Sequence, residues 1–169
     1  GLLLEAQKKI RRLQDKDYAR HYQRFFKTAP GDYAYKDVFL GVRVPVIRKI
    51  AKDYESLTLH QIKKIITSKF HEERFLALVL LKKKFDSSSL DAKKSIFMFY
   101  LKNTNFINNW DLVDISAHHI VGNYLFNIKK NTQILSTLCS SKNLWERRIS
   151  VVATFYFIKK GSYKETLFV

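Results

Sequence analysis

Arg147-Arg148-Ile149-Ser150-Val151 aligns in register with two upstream stretches, Val113-Asp114-Ile115-Ser116-Ala117 and Glu73-Arg74-Phe75-Leu76-Ala77. Arg74 and Asp114 are 40 residues apart, and Asp114 and Arg148 are 34 apart. In each stretch a polar residue leads a run of apolar and small ones. A unit that recurs at such a period and cannot bury its apolar face alone is expected to stack on copies of itself. Second helices of successive helix pairs then lie side by side. Arg74, Asp114 and Arg148 are thereby expected at one equivalent place on a shared face. Unrelated amphipathic helices can also fall into such a register by accident.

The flanking sequence reads as helix pairs joined by short connections. One helix is expected from about Leu3 to Lys27, with Tyr18, Tyr22, Phe25 and Phe26 forming an aromatic stripe at helical spacing. Thr28-Ala29-Pro30-Gly31 breaks it. After a loop through Asp37, Pro45 suits the first turn of a helix reaching about Tyr54. Thr58 is suited to cap a helix over 59–68. Further helices are expected over 71–84 and 91–102. Three more, opened by Asn109, Asn131 and Asn143, run to about Phe126, Ser140 and Lys160, the last stopped by Gly161. Ser162 starts another. The expected fold is all-α, an α-α superhelix of HEAT-like repeats, forming one domain over residues 1–169.

Composition narrows the function. The chain has 31 Lys and Arg against 15 Asp and Glu, a formal charge of +16 and a pI near 9.9. Such a surface attracts polyanions: nucleic acid, anionic membrane or an acidic protein. The charges are spread along the whole chain, which suits an extended ligand such as a duplex backbone, although a merely solvated surface is the plain alternative. Cys139 is the single cysteine. It offers neither a disulfide framework nor a Cys-based metal site, and the histidines show no metal spacing, so no metal or cofactor is expected. The lone cysteine fits a reducing, cytoplasmic setting. No apolar run approaches the roughly 20 residues of a membrane span.

Trp110 and Asp114, four residues apart, share one helix face, and His118 continues that line. The repeat register adds Arg148. An indole, a carboxylate and a guanidinium would then converge on a cationic surface. Such a trio suits a nucleoside whose base already carries positive charge. As the glycosidic bond breaks, charge develops on the sugar, where a carboxylate stabilises it and orients water. An indole face attracts a cation, and an arginine holds a phosphate bidentately. Plainer roles stand beside these. Trp110 could be a packing anchor, and Asp114 could pair with Arg148 only to neutralise a repeat interface or could serve the helix N-terminus. His118 could be structural, and Tyr22 and Phe25 could belong to the core.

Two more stretches complete a pattern. Phe26-Lys27-Thr28-Ala29-Pro30-Gly31-Asp32-Tyr33, continued by Asp37-Val38-Phe39-Leu40-Gly41-Val42-Arg43-Val44-Pro45, resembles the N-terminal signature of AlkD-like DNA alkylation repair proteins. Asn109-Trp110-Asp111-Leu112-Val113-Asp114 is similar to that family's central motif, and Leu144-Trp145-Glu146-Arg147-Arg148 to its next repeat. The resemblance implies a HEAT-like superhelix that cradles duplex DNA and releases purines alkylated on ring nitrogens. It places Trp110 at the lesion, makes Asp114 the catalytic carboxylate and gives Arg148 the adjacent phosphate. Arg74, Arg147, Lys27, Arg43, Arg48, Tyr22, Phe25 and His118 are the expected DNA-binding set. Members similar to AlkD are understood to work without extruding the base, and no Schiff-base lysine is suggested, so base release without strand cleavage is expected. Two departures stand out. Family members continue through further helices, so a C-terminally truncated chain is expected. Phe25 and Phe26 also stand where the family can place a tyrosine.

The expected partner is double-stranded DNA carrying alkylated bases, bound by a monomer that does not enter membranes. Two other functions are compatible with the same residues. One is non-catalytic binding of duplex, bent or branched DNA through the basic surface. The other is a protein-binding helical scaffold.

Overall fold

A computed structural model describes all residues, 1–169. The chain is all-helical, with a single parallel bridge between Val38 and Phe70 outside the helices. Ten α-helices follow in order: α1 (Leu2–Arg12), α2 (Lys16–Gln23), α3 (Val44–Asp53), α4 (Leu59–Ile66), α5 (His71–Asp86), α6 (Leu90–Lys102), α7 (Trp110–Asp114), α8 (Gln133–Cys139), α9 (Leu144–Lys159) and α10 (Lys164–Phe168). No helix is long and apolar enough to cross a membrane. The chain divides into two compact units, Gly1–Lys84 and Phe85–Val169.

In the first unit, the helix expected over Leu3–Lys27 is two helices. Asp15 is the cause. Its carboxylate accepts from the backbone amides of Asp17 (3.0 Å) and Tyr18 (2.9 Å), and its own amide donates to the Leu40 carbonyl at 2.9 Å. A short acceptor that satisfies the exposed amides of a new first turn starts a helix there and ends the previous one. Thr58 caps α4 as expected, in a reciprocal box with Gln61. Pro45 lies in the first turn of α3.

The Val38–Pro45 stretch is held from both sides. Glu72, buried at the start of α5, accepts from the amides of Leu40 and Gly41, each at 2.8 Å. Gly41 has φ +81, and a Cβ there would lie 2.0 Å from the Asp15 carbonyl oxygen, so only glycine fits. Next to it, the fully buried Glu73 carboxylate receives Arg11 of α1 through Nε (2.5 Å) and Nη2 (3.2 Å). Every residue from His71 to Leu81 is buried, so α5 has no solvent face over its first three turns. Its ionic residues survive burial because each carboxylate has donors.

In the second unit, α9 packs against α7, α8, α10 and the turns after α7. Ile149, Val152, Ala153 and Phe157 of α9 are buried with Leu112, Val113, Ile120, Val121, Leu125 and Leu135. Asn143 caps α9 as expected, accepting from the Trp145 amide at 2.8 Å. Asn131 accepts from the Gln133 amide at 2.8 Å, and α8 starts there. The helix expected from Trp110 to Phe126 is not regular: α7 ends at Asp114, and the chain continues through π-helical turns at His118–Gly122 and Leu125–Lys129. Gly122 sits in the first of these, where a Cβ would come within 2.2 Å of the Ala153 carbonyl oxygen. The wide turn and the missing side chain together let this segment lie directly on α9.

Candidate functional site

The last residue of α7 and the second turn of α9 meet at the surface of the second unit. Arg148 donates through Nε to Asp114 Oδ1 at 2.9 Å and through Nη2 to Oδ2 at 2.8 Å. Both side chains remain accessible, 37% for Asp114 and 42% for Arg148. This is the two-pronged arrangement that a guanidinium and a carboxylate favour. Each carboxylate oxygen has a second lone pair beyond the one that Arg148 engages.

The pair borders an open groove of about 410 Å³, lined also by Leu144, Trp145, Arg147, Val151, Val152 and Phe155. Three apolar residues of that lining are largely exposed: Leu144 at 49%, Val151 at 41% and Phe155 at 49%. They follow one another along the α9 face that carries Arg148, at the i, i+7, i+11 spacing of a helical stripe. The groove is therefore an apolar trough with a cationic rim and one carboxylate at its mouth. Arg147 is partly committed to architecture: its Nη1 donates to the carbonyls of Ser141 (2.8 Å) and Lys142 (3.0 Å), just beyond the C-terminus of α8.

Asp114 and Arg148 are together, as the repeat register suggested, but Trp110 is half-buried and is not among the residues lining the groove. The tryptophan that does line it is Trp145, which is buried. Trp145 and Val151 stand in the sequence motifs without an assigned role, and Phe155 stands in none. The signal of Val151 and Phe155 was available, since apolar residues on the exposed face of a helix that already buries another side stand out at helical spacing. His118 is half-buried, its ring centroid 3.8 Å from that of His119.

The remaining expected DNA-binding residues lie in the first unit, and they differ in availability. Lys27, Arg43 and Arg48 are exposed. The Arg43 guanidinium lies 4.1 Å from the centre of the Tyr18 ring, a cation–π contact that fixes its direction. Tyr22 sits within an aromatic cluster, stacked on Tyr18 at 5.7 Å and edge-on to Phe26, Phe39 and His71. Phe25 is 59% exposed, with His21 edge-on at 5.8 Å. Arg74 departs from the expectation. Its side chain is 4% exposed and its Nη2 lies 2.9 Å from Asp37 Oδ2, while Nη1 donates to the Ser68 carbonyl at 2.8 Å. The Asp37 contact is a charge pairing without hydrogen-bond alignment. A guanidinium enclosed in this way braces the loops before α5 and is not presented to a surface phosphate.

Two residues after Asp114, Ser116 is fully buried. Tyr100, fully buried, lies 2.8 Å from Ser116 Oγ. Burial pushes its phenol well above the ordinary value of 10.0, and the Asp114 charge adds to that shift.

Comparisons with curated proteins and with solved structures returned no match. The sequence does match the profile of the family described as DNA alkylation repair enzyme, and the match runs over residues 6–169. A match that takes in both compact units, the α7 carboxylate and the α9 guanidinium alike, places the whole chain in one family: it belongs to the DNA alkylation repair enzymes.

Proposed function

We propose that this protein is a monofunctional DNA glycosylase that excises positively charged N3- or N7-alkylated purines, such as 3-methyladenine and 7-methylguanine, from duplex DNA. The observation that carries the reading is the accessible Asp114–Arg148 pair at the mouth of a cationic-rimmed groove, in a chain of the DNA alkylation repair family. The fold that would present it is a HEAT-like superhelix acting as a monomer, inside the cell, without metal or cofactor.

The chemistry needs little from the protein. Alkylation has already given the base its positive charge, so no proton has to be delivered to the leaving group. The C1′–N9 bond breaks with its electron pair moving to the purine, which departs neutral. Positive charge grows on the sugar. The Asp114 carboxylate, placed against that sugar, opposes the charge and orients a water through its remaining lone pairs. Water adds at C1′ and gives up a proton, leaving an abasic site and the free base. Arg148 holds Asp114 in one orientation and offers its other donors to the neighbouring phosphate. Trp110 would face the lesion from the start of α7. Lys27, Arg43, Arg48 and Arg147 would add phosphate contacts, with Tyr22, Phe25 and His118 beside them.

A second reading, non-catalytic binding of duplex, bent or branched DNA, is favoured by one observation: both Asp114 oxygens already accept from Arg148. The two readings part in a single-turnover assay. Duplex DNA containing 7-methylguanine is incubated with parent protein and Asp114→Asn, and free base is measured by chromatography. The glycosylase reading expects release by the parent and loss in the variant. Salt-sensitive binding by both proteins without release supports the second reading and overturns the first.

A further inference from the structure

α7 ends at the residue that carries the carboxylate, and the backbone records how. An α-helical Ser116 amide would donate to Leu112, four residues back. Here it donates to Val113, three back, at 3.1 Å. The Leu112 carbonyl receives the Ser116 hydroxyl instead, at 2.6 Å. That uses the single hydroxyl hydrogen of Ser116. The close Tyr100–Ser116 contact must therefore run from the phenol to the serine, with Tyr100 Oη donating to Ser116 Oγ at 2.8 Å. Both side chains are fully buried, and Tyr100 comes from α6, a separate helix. After this tightened turn the helix loosens into the π-helical His118–Gly122 segment that lies on α9.

We propose that the Tyr100–Ser116–Leu112 chain is a positioning device for Asp114: it clamps the tightened turn that aims the carboxylate at Arg148, and Tyr100 and Ser116 are positioning residues of the site. The consequence for rate rests on the glycosylase reading; the consequence for the ion pair does not. A regular α-helix continued through Ile115 and Ser116 would turn the residues that follow α7 by a different angle relative to α9. α7 before the tightened turn and the π-helical segment after it are both in contact with α9. The Asp114 charge also reaches the Tyr100 phenol, adding to the rise that burial imposes on it, so hydroxyl and carboxylate lie within each other's field. A hydroxyl donor buried behind a catalytic carboxylate, touching no substrate, has the ordinary form of a support that fixes a reacting group.

The test uses the whole protein and two readouts. The first is the Arg148 Nε–H resonance and its hydrogen exchange by nuclear magnetic resonance, which reports on the ion pair with no substrate present. The second is single-turnover release of 7-methylguanine alongside duplex affinity. Tyr100→Phe is expected to shift the Nε–H signal and speed its exchange, to lower the release rate by about tenfold and to leave duplex affinity near the parent value. Ser116→Ala should reproduce the effect, and the double variant should add little to either. Phe97→Leu thins the same core without touching Ser116, and should leave both readouts near the parent. If Tyr100→Phe does not fold, Ser116→Ala alone carries the test. An Arg148 signal that does not change in Tyr100→Phe or Ser116→Ala overturns the proposal, as does an altered signal with unchanged release where the parent releases base. Altered signals in a protein whose parent releases no base uphold the positioning of Asp114 and sink the glycosylase reading instead.

Discussion

Two arginines share one place in the sequence register and lead opposite lives. Arg74 lies in the first unit with its side chain 4% exposed, paired to an Asp37 that is 6% exposed; Arg148 lies in the second at 42%, paired to Asp114 at 37%. The same residue type, next to similar apolar neighbours, is a brace in one case and a presented group in the other. What differs is the company around each. The α5 helix is buried through its first three turns and its polar residues must be satisfied internally, while Arg148 stands on a helix that buries one side and leaves the other open. A register places a residue in a repeat. It does not say whether the repeat keeps that position dry.

The strongest way to break this contrast is to remove one member of each pair. Arg74→Ala leaves Asp37 a buried charge without its counterion, and urea unfolding should show a loss of about 3–5 kcal/mol. Replacing both Arg74 and Asp37 with apolar residues of similar volume should cost far less. A small loss in Arg74→Ala would mean that the buried pair is not the brace described here.

Asp114→Asn makes the opposite demand: little effect on unfolding, within about 1 kcal/mol for an exposed pair, and a fall of at least about 100-fold in base release. Release near the parent rate would place the chemistry elsewhere. Trp110→Ala comes next. If the indole meets the lesion, release should fall by roughly 2- to 30-fold, the range of a cation–π contact; no change would leave Trp110 as packing at the start of α7.

The smallest expected effect concerns a buried phenol. The folded phenol of Tyr100 titrates above its ordinary 10.0. A raised value in the folded state means that its contribution to stability is complete below pH 10 and is lost as pH climbs beyond it. Urea unfolding between pH 9 and 11, a window set by that ordinary value, should therefore show parent stability falling more steeply than that of Tyr100→Phe, by up to about 1.4 kcal/mol per pH unit. Parallel curves would show that the phenol is not held neutral.

Much of the fold could be read in advance because its signals are local. Pro45 in a first turn, Thr58 with Gln61, and Asn143 before α9 each act within four residues. The two misread helices fail for the complementary reason. The break at Asp15 depends on Leu40, 25 residues away, whose carbonyl takes the Asp15 amide. The irregular turns after Asp114 depend on Tyr100 from another helix and on the close approach of Gly122 to α9. Neither partner is visible in a local window.

The residues alone determined that the chain is helical, strongly basic and able to bring Asp114 and Arg148 together, because periodicity, capping and net charge are properties of the chain itself. Only the folded molecule decided that Arg74 is enclosed, that Trp145, Val151 and Phe155 line the groove, and that a buried phenol meets Ser116, two residues after the carboxylate. Burial and the pairing of side chains arise when distant segments exclude water from one another, and that exclusion exists only once the chain has folded.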